Sequence, residues 1–217
     1  MNYYKLNYTF AFNPIEHHEF RAWLLTYCDG LQLDVGVEAL VQSNTPVRLA
    51  VFDMDSTLLK AEVIDELAVE YGVDHQVKAI TESAMQGEID FSQSFTKRMG
   101  LLKGLPESAV QNVLQRLPLM DGALEAFKFF QSKGIHTAIL SGGFDVFAQS
   151  VQRQLNIHEI VTNQLAFESG VLTGEVVLPI IDAAAKAKAL AALVARLGIQ
   201  PEETLAVGDG ANDLLML

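Results

Sequence analysis

Residues 47–57 read Val47-Arg48-Leu49-Ala50-Val51-Phe52-Asp53-Met54-Asp55-Ser56-Thr57, an apolar run that ends on two aspartates and two hydroxyls. A continuous apolar run bounded by a turn signal predicts a buried strand of a parallel sheet. Two further segments repeat the pattern. His136-Thr137-Ala138-Ile139-Leu140 runs into Ser141-Gly142-Gly143, and Thr204-Leu205-Ala206-Val207 runs into Gly208-Asp209-Gly210.

Helical patterns lie between these strands. Leu124, Phe127 and Phe130 recur at three-residue steps, with Asp121 as the expected N-cap and Lys133-Gly134 as the stop. Phe144 to Leu155 predicts a second helix, and Ala183 to Leu197 a third, closed by Gly198. Strands alternating with helices predict an α/β fold with a Rossmann-like parallel sheet core. Glu168 to Leu178 breaks the alternation, and Ser169-Gly170 within it predicts a hairpin.

Spacing adds a second body. From Asp53 to Ser141 is 141 − 53 = 88 residues, whereas a βαβ step takes about 30 or slightly more. The surplus is helical in pattern and punctuated by Gly72, Gly87, Gly100 and Gly104. It predicts a small helical cap domain, residues 61–118, inserted after the first core strand. The core is then 47–60 and 119–217, and residues 1–46 form an N-terminal lead-in joined at Asn44-Thr45-Pro46.

The chain has 217 residues, with 15 Lys and Arg against 27 Asp and Glu, a net charge of −12. Half the residues are hydrophobic and 19% are charged, which supports a sizeable core and excludes intrinsic disorder. Clustered basic residues that would advertise a nucleic-acid partner are lacking. The longest stretch without Asp, Glu, Lys or Arg runs from Gly134 to Phe144, short of the roughly 20 residues of a membrane span. A single cysteine, Cys28, excludes an internal disulfide, and its neighbours Trp23 and Tyr27 suggest packing. His17-His18 is a weak metal signal, because adjacent residues do not share a helix face. Without a secretory signal at the N-terminus, a cytoplasmic location is expected.

The candidate chemistry sits at the strand exits. Asp53 and Asp55 follow the first strand, and in open α/β sheets ligands bind beyond the carboxyl ends of strands. Alone, Asp-x-Asp describes many solvated loops. Ser141-Gly142-Gly143 offers a hydroxyl, unobstructed amides and a helix start, the parts of a phosphate cradle, although an ordinary glycine turn has the same composition. Gly208 to Asp213 brings two more carboxylates, suited to a hard cation such as Mg²⁺. Lys186 stands near a helix start, where a cation opposes the macrodipole unless an anion is close. Together these groups fit phosphoryl transfer by a carboxylate nucleophile.

The order DMDST (53–57), SGGF (141–144), Lys186 and GDGAND (208–213) resembles the haloacid dehalogenase-like phosphatases. Glu62, nine residues after Asp53, together with Met85, Phe91 and Arg98, narrows the resemblance to the phosphoserine phosphatases. The resemblance covers about residues 47–217. It implies Mg²⁺-dependent hydrolysis of O-phospho-L-serine to L-serine and phosphate, a step of serine biosynthesis, through an aspartyl-phosphate. In its terms Asp53 is the nucleophile and Asp55 the acid and base. Asp53, Asp55 (by its carbonyl), Asp209 and Asp213 serve the metal, while Ser141, Gly142, Lys186 and Asn212 serve the phosphate. Glu62 meets the ammonium and Arg98 the carboxylate of the substrate, and Met85 and Phe91 line the pocket. It implies a small-molecule substrate, neither nucleic acid nor membrane as partner, and admits a homodimer.

Two departures from the family pattern stand out. Residues 1–46 are shorter than the regulatory module of related enzymes. The chain also stops at Leu217, where the family continues through a helix and a strand, so a shortened chain is expected. A phosphatase or phosphotransferase for another small phosphomonoester, and a non-catalytic phosphate-binding regulatory domain, remain open alternatives.

Overall fold

The computed structural model describes residues 14–33, 35 and 45–217, and these divide into two units, one ending at Pro46 and one running from Val47 to Leu217. In the first, helix α1 (Pro14–Gly30) carries a stacked Trp23–Tyr27 pair with ring centroids 5.5 Å apart and a buried, unpaired Cys28. Residues 1–13, 34 and 36–44 of the lead-in, and the side chain of His17 on which the His17-His18 pair depends, lie outside the described residues. Among the described residues no helix is long and apolar enough to cross a membrane.

Strand β1 (Leu49–Phe52) is buried at all four positions. It pairs in parallel with β2 (His136–Phe144) on one side and with β6 (Thr204–Val207) on the other. Strand β3 (Glu159–Asn163) pairs in parallel with β2, giving the order β3-β2-β1-β6. Period-two alternation sends Leu49 and Val51 to one face and Ala50 and Phe52 to the other. Leu49 and Val51 meet Leu193 of α8 (Ala183–Leu197) and Ile199. Ala50 and Phe52 meet Phe127 of α6 (Ala123–Ser132) and belong to the same core as Phe147 and Val151 of α7 (Asp145–Leu155). Both faces are covered, so β1 needs no polar side, and truncating Phe127 to Ala would cost about 3–5 kcal/mol.

β2 and β3 extend the sheet to one side of β1 and β6 to the other. The direction of winding therefore reverses at β1, and the crevice beyond β1 and β6 is where such sheets hold ligands.

Four helices stand between β1 and α6: α2 (Val63–Tyr71), α3 (Asp74–Met85), α4 (Phe91–Leu101) and α5 (Glu107–Arg116). The chain leaves and returns through a paired neck, where Lys60 N–H donates to Pro118 O at 3.1 Å and Met120 N–H to Leu58 O at 2.8 Å. Gly72, at φ +76°, ends α2 in the left-handed conformation that glycine adopts most cheaply. Asp90 starts α4 by accepting the Gln93 N–H at 2.8 Å.

Strands β4 (Leu165–Glu168) and β5 (Val171–Val176) form the expected hairpin, with Ser169 and Gly170 both at positive φ as a type I′ turn requires. The hairpin bonds to the helical insert. Gly104 N–H donates to Leu172 O and Leu172 N–H to Leu105 O, each at 2.8 Å, and Glu107 N–H to Gly170 O at 2.9 Å.

Local expectations fail at several points. Asp121 does not cap α6: Gly122 occupies that position at φ +84°, and Asp121 Oδ1 instead meets Lys60 Nζ at 2.6 Å across the neck. β2 does not stop at Leu140 but runs through Ser141-Gly142-Gly143 to Phe144, so α7 begins at Asp145. Gly100 falls in the last turn of α4, one residue before its end, rather than after it.

Candidate active site

Asp53 is the first residue past β1, and its N–H donates to Val207 O at 2.9 Å, extending the β1–β6 ladder by one step. Its side chain is therefore delivered from a rigid strand end, and the residue is 4% exposed. The chain then turns tightly, with Leu58 N–H donating to Met54 O at 2.8 Å and Ser56 held at φ +55°. Asp53 and Asp55, two residues apart, both face one cavity.

From the first turn of α8, Lys186 reaches under Asp53. It is 1% exposed, and its Nζ lies 2.6 Å from Asp53 Oδ1 and 2.8 Å from Asp213 Oδ1. The N-cap Asp182 accepts the Ala185 N–H at 2.8 Å and opens that helix. Asp213 is fully buried, and its other oxygen accepts the Gly210 N–H at 3.1 Å. Gly208 has to be glycine here, because a Cβ on it would fall on the Asp213 carboxylate. Burial raises the Asp53 pKa, with Lys186 opposing the shift and Asp213 adding to it.

Asp53, Asp209 and Asp213 each offer a carboxylate oxygen, all within 4.8 Å of one another. Lys186 meets Asp53 and Asp213 but is one positive charge against three carboxylates, so the group keeps surplus negative charge and offers only oxygen donors, which fits a hard divalent cation. Thr57 holds Asp209 by donating its hydroxyl to Oδ1 at 3.0 Å. The Asp55 carboxylate is not part of this group. Its Oδ2 accepts the Val63 N–H at 3.4 Å and its Oδ1 is buried without a partner. Burial, then Glu62 and Asp53, raise the Asp55 pKa well above the ordinary range.

Ser141, Gly142 and Gly143 lie across the cavity. Gly143 N–H donates to Ser141 Oγ at 3.0 Å, and Asn163 Nδ2 donates to Gly142 O at 2.7 Å. A Cβ on Gly143 would stand 2.6 Å from Met54 Cε and 3.1 Å from Asp55 Oδ2, so glycine lets β2 approach the aspartate turn. Phe91 comes down from α4 to within 3.4 Å of where a Gly142 Cβ would be.

The cavity is about 100 Å³, with Glu62, Phe91 and Arg98 on its insert side and Asp53, Asp55 and Asn212 on its core side. Ser141, Gly142 and Asp209 also line it. Glu62 Oε1 accepts the Ser56 hydroxyl at 2.7 Å. Arg98 Nε is buried without a partner, and burial lowers the Arg98 pKa while Asp65, Glu62 and Asp55 support the charge. Lys186 and Asp213 are not among the lining residues, and Lys186 adjoins the cavity through its contact with Asp53.

Met85 departs from expectation. It is the last residue of α3, 83% exposed, and no part of the cavity wall, because α3 turns a face carrying Val77 inward. Thr57 and Asn163 join the site without being among its expected residues. Thr57 stood inside the DMDST stretch, whereas Asn163 carries no local signal.

Residues 47–217 match the haloacid dehalogenase-like hydrolase family. A phosphoserine phosphatase of Archaeoglobus fulgidus is 42% identical over 199 residues, 92% of this chain and 58% of that protein. One of Idiomarina loihiensis is 48% identical over 169 residues, 78% of this chain and 77% of that protein. A solved phospho-aspartyl intermediate analogue of phosphoserine phosphatase shares 40% identity at a TM-score of 0.74, covering 79% of this chain and 82% of that one. This chain thus spans little more than half the length of the Archaeoglobus relative. With most of its length matched by the family, the chain belongs to the haloacid dehalogenase-like hydrolases.

Proposed function

We propose that the chain hydrolyses O-phospho-L-serine to L-serine and phosphate, as its resemblance to phosphoserine phosphatases suggests. The carrying observation is that Glu62 and Arg98, of opposite charge, share one cavity of about 100 Å³ with the Asp53/Asp55 pair. Glu62 suits the substrate ammonium, and the planar Arg98 guanidinium suits its carboxylate. In this reading residues 61–118 are a cap over the core, with Phe91 excluding water, and the enzyme works in the cytoplasm.

Asp53 Oδ1 is engaged by Lys186, which leaves Oδ2 as the attacking atom. As Oδ2 bonds to phosphorus, the bond from phosphorus to the serine oxygen breaks, and Asp55 gives that oxygen its proton. Asp55, now a carboxylate, then takes a proton from water. The water oxygen attacks phosphorus, the bond to Asp53 breaks, and phosphate leaves. Lys186 has three N–H donors, two of them on Asp53 and Asp213, so one is left for a phosphoryl oxygen. The Ser141 hydroxyl, the Gly142 N–H and Asn212 hold the others. Mg²⁺ at Asp53, the Asp55 carbonyl, Asp209 and Asp213 would neutralise phosphoryl charge.

A panel of phosphomonoesters assayed with Mg²⁺ tests the substrate. Phosphoserine should exceed phosphoethanolamine and sugar phosphates in kcat/KM by about tenfold or more, as a paired carboxylate would provide. A preferred sugar phosphate would contradict the assignment.

A further inference from the structure

At the site, β2 and β3 fall out of register. Leu140 pairs with Val161 and Phe144 with Asn163, so 144 − 140 = 4 steps on β2 face 163 − 161 = 2 on β3. The two extra residues bulge out of the ladder at Ser141-Gly142-Gly143, a device that re-aims side chains beside active sites. A bulge leaves backbone groups unpaired, and unpaired buried groups are costly.

Asn163, 2% exposed, fills that gap. Its Nδ2 donates to Gly142 O at 2.7 Å, and its Oδ1 accepts the Ile181 N–H at 2.8 Å. Only this orientation of the carboxamide satisfies both neighbours. Gly142 C=O and Gly143 N–H belong to one trans peptide and point in opposite directions. With the carbonyl held by Asn163, the N–H is turned to Ser141 Oγ at 3.0 Å. Ser141 Oγ thereby acts as acceptor within the protein, and its own O–H is left to donate elsewhere. Ile181 directly precedes Asp182, which caps the helix carrying Lys186. One side chain thus ties the bulge of β2 to the start of α8.

We propose that Asn163 is a positioning residue for the phosphate site, aiming the Ser141 hydroxyl at a phosphoryl oxygen and fixing its place relative to Lys186. This rests on the reading that Ser141 and Lys186 hold phosphate. Asn163→Asp keeps the shape and the acceptor for Ile181 but loses the donor to Gly142. Asn163→Leu loses both.

The test compares kcat, KM and the inhibition constant for inorganic phosphate, all with Mg²⁺, alongside thermal unfolding. Both variants should lose about 10- to 100-fold in kcat and bind inorganic phosphate correspondingly more weakly. Asn163→Asp should still unfold cooperatively, and combining it with Ser141→Ala should cost less than the product of the single losses, because Asn163 acts through Ser141. A folded Asn163→Asp protein with kcat and phosphate inhibition within about twofold of the parent overturns the proposal, as does a lower Tm with unchanged phosphate inhibition. If Ser141→Ala alone leaves phosphate inhibition unchanged, the phosphate assignment itself fails and this inference falls with it.

Discussion

Lys186 Nζ lies 2.6 Å from Asp53 Oδ1 with both side chains buried, and the same ammonium holds Asp213 at 2.8 Å. Two carboxylates and one ammonium out of water form a unit that tolerates no missing member. Removing one partner of a buried pair leaves uncompensated charge and costs about 3–5 kcal/mol. Lys186→Met should therefore destabilise the protein by that order in urea unfolding and lower kcat by about 100-fold or more. Added Mg²⁺ should restore part of the stability, because a cation again stands among the carboxylates. A variant of parental stability would contradict the account of this unit.

Arg98 tests substrate recognition. A charge-assisted pair contributes about 1.5–3 kcal/mol, and each 1.4 kcal/mol is tenfold in affinity. Arg98→Ala should raise KM for phosphoserine about 10- to 100-fold by this arithmetic, while leaving phosphoethanolamine, which lacks the carboxylate, little changed. Equal losses on both substrates would remove Arg98 from carboxylate recognition.

Gly143 tests the close approach of β2 to the aspartate turn. An added Cβ would stand 2.6 Å from Met54 Cε, and Met54 is fully buried. Gly143→Ala should cost about 1–3 kcal/mol through overpacking. Because Asp55 Oδ2 is only 3.1 Å from the same Cβ, kcat should fall by about tenfold or more. Steady-state kinetics beside a denaturation curve would separate the two effects.

A pH effect is expected far from the chemistry, at the start of β2 and β3. His158 Nδ1 accepts the Thr137 N–H at 3.1 Å, and its ring centroid is 4.4 Å from that of His136. Burial, then His136, lowers the His158 pKa, with Glu159 opposing. Arg196 holds the Glu159 carboxyl below its ordinary value. For His158 the unfolded chain takes up a proton first as pH falls, so stability declines from near the unperturbed value of about 6.5 down through the lowered folded value. Glu159 adds a further loss below the ordinary glutamate range. His158→Asn should flatten the upper part of a Tm-against-pH curve, and an unchanged slope there would contradict this reading.

What the sequence disclosed was local. Asp53, Ser141 and Asp209 each follow an apolar run within a few residues, so strand, turn and ligand group are readable together. Phe91 and Arg98 needed the family resemblance, since Phe91 alone reads as core. β3 stayed hidden because it is an edge strand, and Glu159-Ile160-Val161-Thr162-Asn163 mixes polar and half-buried residues. The bonds of Asn163 reach Gly142 and Ile181, 21 and 18 residues away. Side-chain bonds at that range leave no periodic trace. Asp121 misled because its carboxylate found Lys60 across the neck instead of its own helix.

In the proposed mechanism Asp53 carries the phosphoryl group in transit. Rapid acid quench of the enzyme turning over phosphoserine with Mg²⁺, followed by mass spectrometry of the peptide containing Asp53, tests it most directly. One added phosphoryl group should appear on Asp53, released by hydroxylamine as an acyl phosphate should be, and be absent from Asp53→Asn, which should also lose turnover. Steady turnover with no phosphoryl group on that peptide, or an Asp53→Asn variant of undiminished activity, would contradict it.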